Sequence, residues 1–96
     1  MDSLEHLMGA YFHQDWDLDG GTVHDTVDAF AAGSPARVEP AMSDIDQVLE
    51  LDLREGQLRS LLQSMGCEFF AGDTDDDYRT WLADIRARLQ ARAPTV

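Results

Sequence analysis

Lysine, cysteine and long apolar runs are absent or scarce in this 96-residue chain. The single cysteine, Cys67, has no second cysteine to pair with inside the chain, which is typical of a protein kept in the reducing cytoplasm. No apolar run approaches the roughly 20 residues that a helix needs to cross a bilayer. The N-terminus has neither the basic nor the apolar segment of a signal peptide. We therefore expect a cytoplasmic protein.

Basic residues are also scarce. The seven that are present are all arginines, nineteen acids oppose them, and the net charge is −12 at pH 7. Residues 1–36 contain neither Lys nor Arg. Contacts with phosphate require Lys or Arg, so we predict neither a nucleic acid nor an anionic membrane as partner. A basic protein is the complementary partner, and the alternative is that the acidity only maintains solubility.

Apolar residues recur at helical spacing, and no segment combines the two-residue period of a strand with hairpin turns. The length predicts one domain, residues 1–96. Breaks in the pattern separate about five short amphipathic helices, so the predicted fold class is an all-α bundle. The predicted inner positions are Leu4, Leu7, Met8, Tyr11, Phe12, Val23, Val27, Phe30, Ala31, Val38, Met42, Ile45, Val48, Leu49, Leu58, Leu61, Leu62, Met65, Tyr78, Trp81, Leu82, Ile85 and Leu89.

Residues at the breaks predict the helix ends. Thr22 to Asp25 and Asp52 to Glu55 each have the spacing of a capping box. Gly33 and Gly66 are each expected just after a helix, as a left-handed residue.

Three further local expectations concern irregular segments. The first helix should end near His13. A proline at position 40 conflicts with a helix that starts at Ser34-Pro35, so the first turn there should be irregular. Phe69 and Phe70, in a short connection, should fill the core.

The segment YFHQDWDLDGG, residues 11–21, is the densest group of side chains that can both bury and bind. Within it, Asp15 to Gly20 matches the opening of an EF-hand loop, with carboxylates at positions 1, 3 and 5 and glycine at 6. Position 12 is Thr26, which cannot supply the bidentate carboxylate. We therefore predict an inter-helix turn here and no bound metal.

A second set of acids also resembles the calcium template. Asp73, Asp75, Asp77 and Asp84 occupy positions 1, 3, 5 and 12. Tyr78, however, stands where the loop needs glycine. Capping and dipole stabilisation of the last helix explain these acids more economically.

No set of residues indicates catalysis. His13 beside Asp15 could form an oriented general base, but no nucleophile accompanies them. Cys67 has no neighbouring positive charge in the sequence to activate its thiol. We predict no enzyme and no cofactor; His13 and Gln14 are expected to form a structural hydrogen-bonding group together with Trp16.

Five acids without a Lys or Arg lie between residues 15 and 28. Such a density is self-repulsive in the folded state and exceeds what solubility needs. We interpret it as a partner surface, to which an exposed tryptophan could add an anchor; the alternative is a solvated face. The residues predicted to contact a partner are Asp15, Trp16, Asp17, Asp19, Asp25, Asp28, Asp73, Asp75, Asp76 and Asp77.

Four segments carry a family resemblance: residues 11–21, the Ser-Pro start at 34–35, SDIDQVLEL at 43–51 and DYRTWLADIRARL at 77–89. With them the chain resembles the contact-dependent growth inhibition (CdiI-type) immunity proteins. These are small helical proteins encoded beside polymorphic toxins. Pro40 is a departure that affects only local geometry.

The resemblance implies a cytoplasmic inhibitor that binds the C-terminal domain of one cognate toxin, often a nuclease and therefore basic. A motif shared among inhibitors of different toxins should maintain the fold, so Tyr11, Phe12, His13 and Gln14 are expected to be structural. The acidic residues would then determine which toxin the protein binds. The alternative is a small acidic helical adaptor or a calcium-responsive module that uses the loop from Asp15 to Gly20.

Overall fold

The computed structural model describes residues 2–12, 22–67 and 69–92, and within these ranges the chain is helical, without a strand. This confirms the predicted all-α class with about five helices. In chain order the elements are α1 (Asp2–His6), which continues as a π-helix (Leu7–Tyr11), α2 (Val23–Gly33), a 3-10 turn (Pro35–Arg37), α3 (Val38–Glu50), α4 (Gln57–Ser64) and α5 (Asp75–Arg92).

The longest helix, α5, is the element on which α2, α3 and α4 all pack. One face of it is apolar at helical spacing, and this face is buried, as the sequence predicts. Aspartates occupy its first turn and an arginine its last, the order that the helix dipole favours. The buried apolar side chains are Tyr78, Trp81, Leu82, Ile85 and Leu89.

The other helices each bury one face against this helix or against one another. Each large side chain fully removed from water stabilises the fold by about 1.5–3 kcal/mol before the chain entropy is counted. The predicted inner positions that are only partly buried pack around the edge of the core; they are Tyr11, Val23, Met42, Leu49, Leu61 and Met65.

The first helix changes from α to π hydrogen bonding before it ends. The backbone N–H of Phe12 donates to the carbonyl oxygen of Leu7, five residues back, at 3.3 Å, and to that of Met8 at 3.2 Å. Phe12 is fully buried, and its ring meets that of Trp81 edge-on with centroids 5.0 Å apart. The helix therefore ends close to the predicted position, and its last aromatic ring is anchored in the core.

Helix α2 begins with the predicted capping box. The hydroxyl of Thr22 accepts the N–H of Asp25 at 3.2 Å, and the Asp25 carboxylate accepts the N–H of Thr22 at 3.1 Å. Its end differs from the prediction, because Gly33 is the last helical residue and not the left-handed residue after it. A Cβ on Gly33 would stand 3.1 Å from the hydroxyl oxygen of Tyr11, so glycine here permits a close approach.

The start of α3 is irregular, as expected. A 3-10 turn over Pro35–Arg37 precedes the α-helix, which begins at Val38. Pro40 is then the third residue of the helix, where a backbone N–H has no partner within the helix and its absence costs little.

The predicted capping box at the start of α4 is wrong. Asp52 and Glu55 have left-handed backbones, with φ of 51° and 57°, and the Asp52 carboxylate accepts a hydrogen bond from Arg54 at 2.7 Å instead. The N-cap is Gly56, and its N–H donates to the carboxylate of Asp75 at 3.0 Å. A side chain from α5 therefore supplies the cap that the local sequence was expected to supply.

The end of α4 agrees with the sequence. Gly66 follows the helix with φ of 95°, its N–H donates to the carbonyl of Gln63, and the N–H of Cys67 donates to that of Leu62. This is the Schellman arrangement that glycine favours. A Cβ at Gly66 would stand 3.0 Å from the Cα of Gly9, so the glycine also lets the first helix cross closely.

Candidate partner-binding surface

Part of the predicted site lies outside the described residues, including the whole loop from Asp15 to Gly20. Two members of the predicted structural motif are described and pack internally. The Tyr11 ring is edge-on to Phe30 at 5.5 Å between centroids, and Phe12 is in the core. The predicted residues outside the described ranges are Asp15, Trp16, Asp17 and Asp19 of the partner surface and His13 and Gln14 of the structural motif.

Asp28, on α2, is bound by two arginines of α5. The Nε and Nη2 atoms of Arg88 donate to its two carboxylate oxygens at 2.9 and 2.7 Å, and those of Arg92 do so at 2.9 and 3.0 Å. The hydrogen bond from Arg88 is the main reason that the pKa of Asp28 falls from 3.8 to about 2, with Arg92 contributing. The same contact raises the pKa of Arg88. Asp28 therefore ties α2 to α5.

The rest of the seam between α2 and α5 is also paired. Nε2 of His24 lies 2.8 Å from the Oδ2 atom of Asp84 on α5. Asp25, next to His24, is exposed, and its carboxylate belongs to the capping box of α2. Of the acids predicted on α2, Asp25 is thus more available to a partner than Asp28.

Asp75 is the one buried acid among the described residues, with 8% of its surface exposed. Its carboxylate accepts the backbone N–H of Gly56 at 3.0 Å and that of Arg59 at 3.4 Å. Buried carboxylates are stable when hydrogen-bonded in this way. Asp75 therefore holds the first turn of α4 against the first turn of α5.

The neighbours of Asp75 are exposed. Asp77 accepts hydrogen bonds from the N–H and hydroxyl of Thr74 at 3.2 Å each, which caps α5. Asp76 pairs with Arg79, and Asp73 precedes the helix on the surface. These three carboxylates place negative charge at one end of the molecule.

Three surface depressions lined by described residues lie around the start of α4, and Glu55 lines each of these three. Two, with volumes of about 510 and 350 Å³, are lined mainly by charged and polar residues, and the third, of about 530 Å³, includes three leucines and has a mostly apolar surface. The larger polar depression is lined by Asp52, Arg54, Glu55, Thr74, Asp75, Asp76 and Arg79; the apolar one by Leu51, Leu53, Glu55, Gly56, Gln57, Ser60 and Leu61.

The sequence reasoning missed the apolar part of this surface. Phe70 was expected in the core but is 59% exposed, whereas Phe69 does pack inward and stacks on Trp81 with centroids 4.8 Å apart. Leu51 is 56% exposed. A signal existed, because Leu49, Leu51 and Leu53 alternate and cannot share one helix face.

The described residues contain no group of three or more His, Cys, Asp or Glu side chains placed to hold a metal ion. The second calcium template is divided, because Asp75 caps α4 and Asp84 bonds His24. None of the helices in the described ranges combines the length and apolar character that a membrane crossing needs.

Comparison with known proteins gives one result. The model of the family described as CdiI immunity protein matches residues 1–89. Neither the curated proteins nor the solved structures contain a match. A match over this length confirms the resemblance seen in the sequence, and the chain belongs to the CdiI immunity protein family.

Proposed function

We propose that this chain protects the cell that makes it by binding the C-terminal domain of one contact-dependent growth inhibition toxin in the cytoplasm. Its family implies a cognate toxin as the partner. Members of the family are generally not enzymes, and we propose that this chain acts by occluding the toxin and not by a reaction. Residues 1–96 would act as one binding domain.

The proposed mechanism, electrostatically steered occlusion of the toxin, rests on the distribution of the basic side chains. All seven arginines lie in the described ranges, and five of them form ion pairs with the chain's own aspartates. Since the net charge is −12, the uncompensated charge is acidic, and the field around the protein is negative. The five paired arginines are Arg54, Arg79, Arg86, Arg88 and Arg92.

A negative field of this kind favours a basic partner. An enzyme that cleaves nucleic acid must attract phosphates with Lys and Arg, so its active cleft is positive. An acidic inhibitor can occupy such a cleft, and attraction at a distance raises association rate constants to as much as ~10⁸–10⁹ M⁻¹s⁻¹ at low salt. We therefore propose a nuclease-type toxin.

The acids differ in their availability for this role. Asp28 and Asp75 are bound within the fold, and we propose that they position α2, α4 and α5 for the acids around them. The exposed acids can contact a partner without any change in the core. The partner surface proposed here consists of Asp25, Asp73, Asp76 and Asp77 together with Asp15, Trp16, Asp17 and Asp19.

The test uses the toxin domain encoded beside this chain's gene. Co-expression should restore growth, and the purified proteins should form a one-to-one complex whose association rate constant falls at least tenfold from low to high ionic strength. The double variant Asp73→Asn/Asp76→Asn should slow association several-fold.

The matched control is Asp2→Asn/Glu39→Gln, which removes the same charge from exposed positions at the start of α1 and α3. It should change the association rate less. Absence of both binding and growth rescue would contradict the immunity function. If the two proteins bind but the association rate constant does not change with ionic strength, the proposal of a basic partner is contradicted and the immunity function is not.

A further inference from the structure

Leu51 and Phe70 are the exposed large apolar side chains among the described residues. In the sequence, Leu51 comes before α4 and Phe70 comes after it. The guanidinium of Arg59 covers Phe70, with its carbon 5.7 Å from the ring centroid. Leu51 is 56% exposed and borders the apolar depression of about 530 Å³. We call the surface formed by Leu51, Leu53, Glu55, Gly56 and Leu61 the α4 shelf.

The turn that carries the α4 shelf is held in an uncommon conformation. Glu55 has φ of 57° and Gly56 has φ of 85°, and left-handed backbone is unfavourable for a residue with a side chain. Two contacts from α5 maintain it: Asp75 accepts the N–H of Gly56, and Arg79 donates to the carbonyl of Leu53. The backbone that follows Leu51 is therefore fixed before a partner binds, which lowers the conformational entropy lost on binding.

The charge beside the shelf is negative and available. Glu55 lines the apolar depression and the other two, and it forms no ion pair with another described residue. Asp73 lines the adjoining depression and is likewise free of an ion pair within the described ranges. Three arginines line the adjoining depressions as well. Arg54 and Arg79 are paired with aspartates, and Arg59 lies over the ring of Phe70, so the acids remain in excess. An apolar centre with an acidic edge fits a segment that presents an apolar side chain next to Lys or Arg.

We propose that the α4 shelf is the docking site for the toxin domain. An apolar side chain of the toxin enters the depression between Leu51, Leu53 and Leu61, and a neighbouring basic side chain meets Glu55 and Asp73. This inference rests on the proposed function, because the toxin is the basic protein that the family implies. It adds an apolar anchor to an interface that was so far argued from charge.

The test compares binding of the purified toxin domain to wild-type protein and to Leu51→Arg. Because Leu51 is exposed, the variant should unfold at the same denaturant concentration as the wild type. It should nevertheless raise the Kd about 30-fold or more, mainly through faster dissociation. Glu55→Gln should slow association about two- to fivefold.

The control is Ala87→Arg, which adds the same charge at an exposed position of α5 away from the shelf and should change the Kd less than about threefold. Wild-type binding with an unchanged Kd for Leu51→Arg overturns the docking site and leaves the proposed function intact. If the free chain is a dimer that Leu51→Arg dissociates, a second copy occupies the shelf and the proposal is overturned. If the wild type does not bind, the proposed function and the docking site fall together.

Discussion

The carboxylate of Asp75 accepts the backbone N–H of Gly56, a residue 19 positions earlier in the chain, at 3.0 Å. The contact caps α4 with a side chain of α5 and holds the strained turn between α3 and α4. Removing this buried acid leaves the backbone N–H groups of Gly56 and Arg59 without their acceptor. Both the fold and the α4 shelf thus depend on one carboxylate.

We predict that Asp75→Ala lowers the free energy of unfolding by about 0.5–2 kcal/mol, the cost of losing a helix cap. Urea denaturation followed by circular dichroism measures this. Asp73→Ala, two residues away and exposed, is the control and should stay within about 0.5 kcal/mol of the wild type. Equal effects of the two variants would contradict the capping role.

The contact of Asp28 with Arg88 and Arg92 makes stability depend on pH in the acid range. The pKa of Asp28 is 3.8 without these contacts and about 2 in the folded protein. A carboxyl with a lowered pKa stabilises the fold above its unfolded value and loses that contribution as the pH falls through its folded value. The contribution should therefore be complete above about pH 4 and be lost toward pH 2.

Asp28→Asn measures this contribution, because it removes the charge and keeps the shape. At neutral pH we expect it to lower the free energy of unfolding by about 1–2 kcal/mol. Measured from pH 5 down to pH 2, the difference between wild type and variant should shrink. A difference that stays constant over this range would show that the ion pair does not stabilise the fold.

Gly56 and Gly66 both have left-handed backbones, with φ of 85° and 95°, but their surroundings differ. An alanine Cβ at Gly56 would meet nothing within 4 Å, whereas at Gly66 it would lie 3.0 Å from the Cα of Gly9. Gly56→Ala should cost about 1 kcal/mol for the conformation alone, and Gly66→Ala at least twice that. Thermal unfolding of the two variants checks the difference. Equal losses of stability would mean that the first helix can move away from Gly66 without cost.

Much of the fold was predictable because the signals that specify it are local. The burial of Trp81 and Ile85 follows from helical spacing, and the cap formed by Thr22 and Asp25 lies within four residues of chain. The cap of α4 was not predictable, because its donor and acceptor meet only when α5 packs on α4. Local sequence offered Asp52 and Glu55 instead, and tertiary contacts overrode them.

The candidate site was less accessible to sequence reasoning. A charge count identifies an acidic chain but does not say which acids its own arginines bind. Asp28 and Asp73 look alike in the sequence, yet one is bound by Arg88 and Arg92 and the other is exposed without an ion pair in the described ranges. The alternation of Leu49, Leu51 and Leu53 signals that the three cannot share one face, but it does not identify Leu51 as the exposed one, which depends on the left-handed turn after α3.

The π-helix at Leu7–Tyr11 has a consequence for how this protein tolerates changes in length. A π turn holds about one residue more than an α turn, so it stores a single-residue insertion in an otherwise regular helix. Deleting one residue there would let the segment wind as a regular α-helix with nearly the same total rotation, because about five residues of π-helix turn the chain as far as four of α-helix. Leu4 would then stay in the core. The π-helix therefore allows the chain to carry one extra residue without changing which side chains before Phe12 face inward.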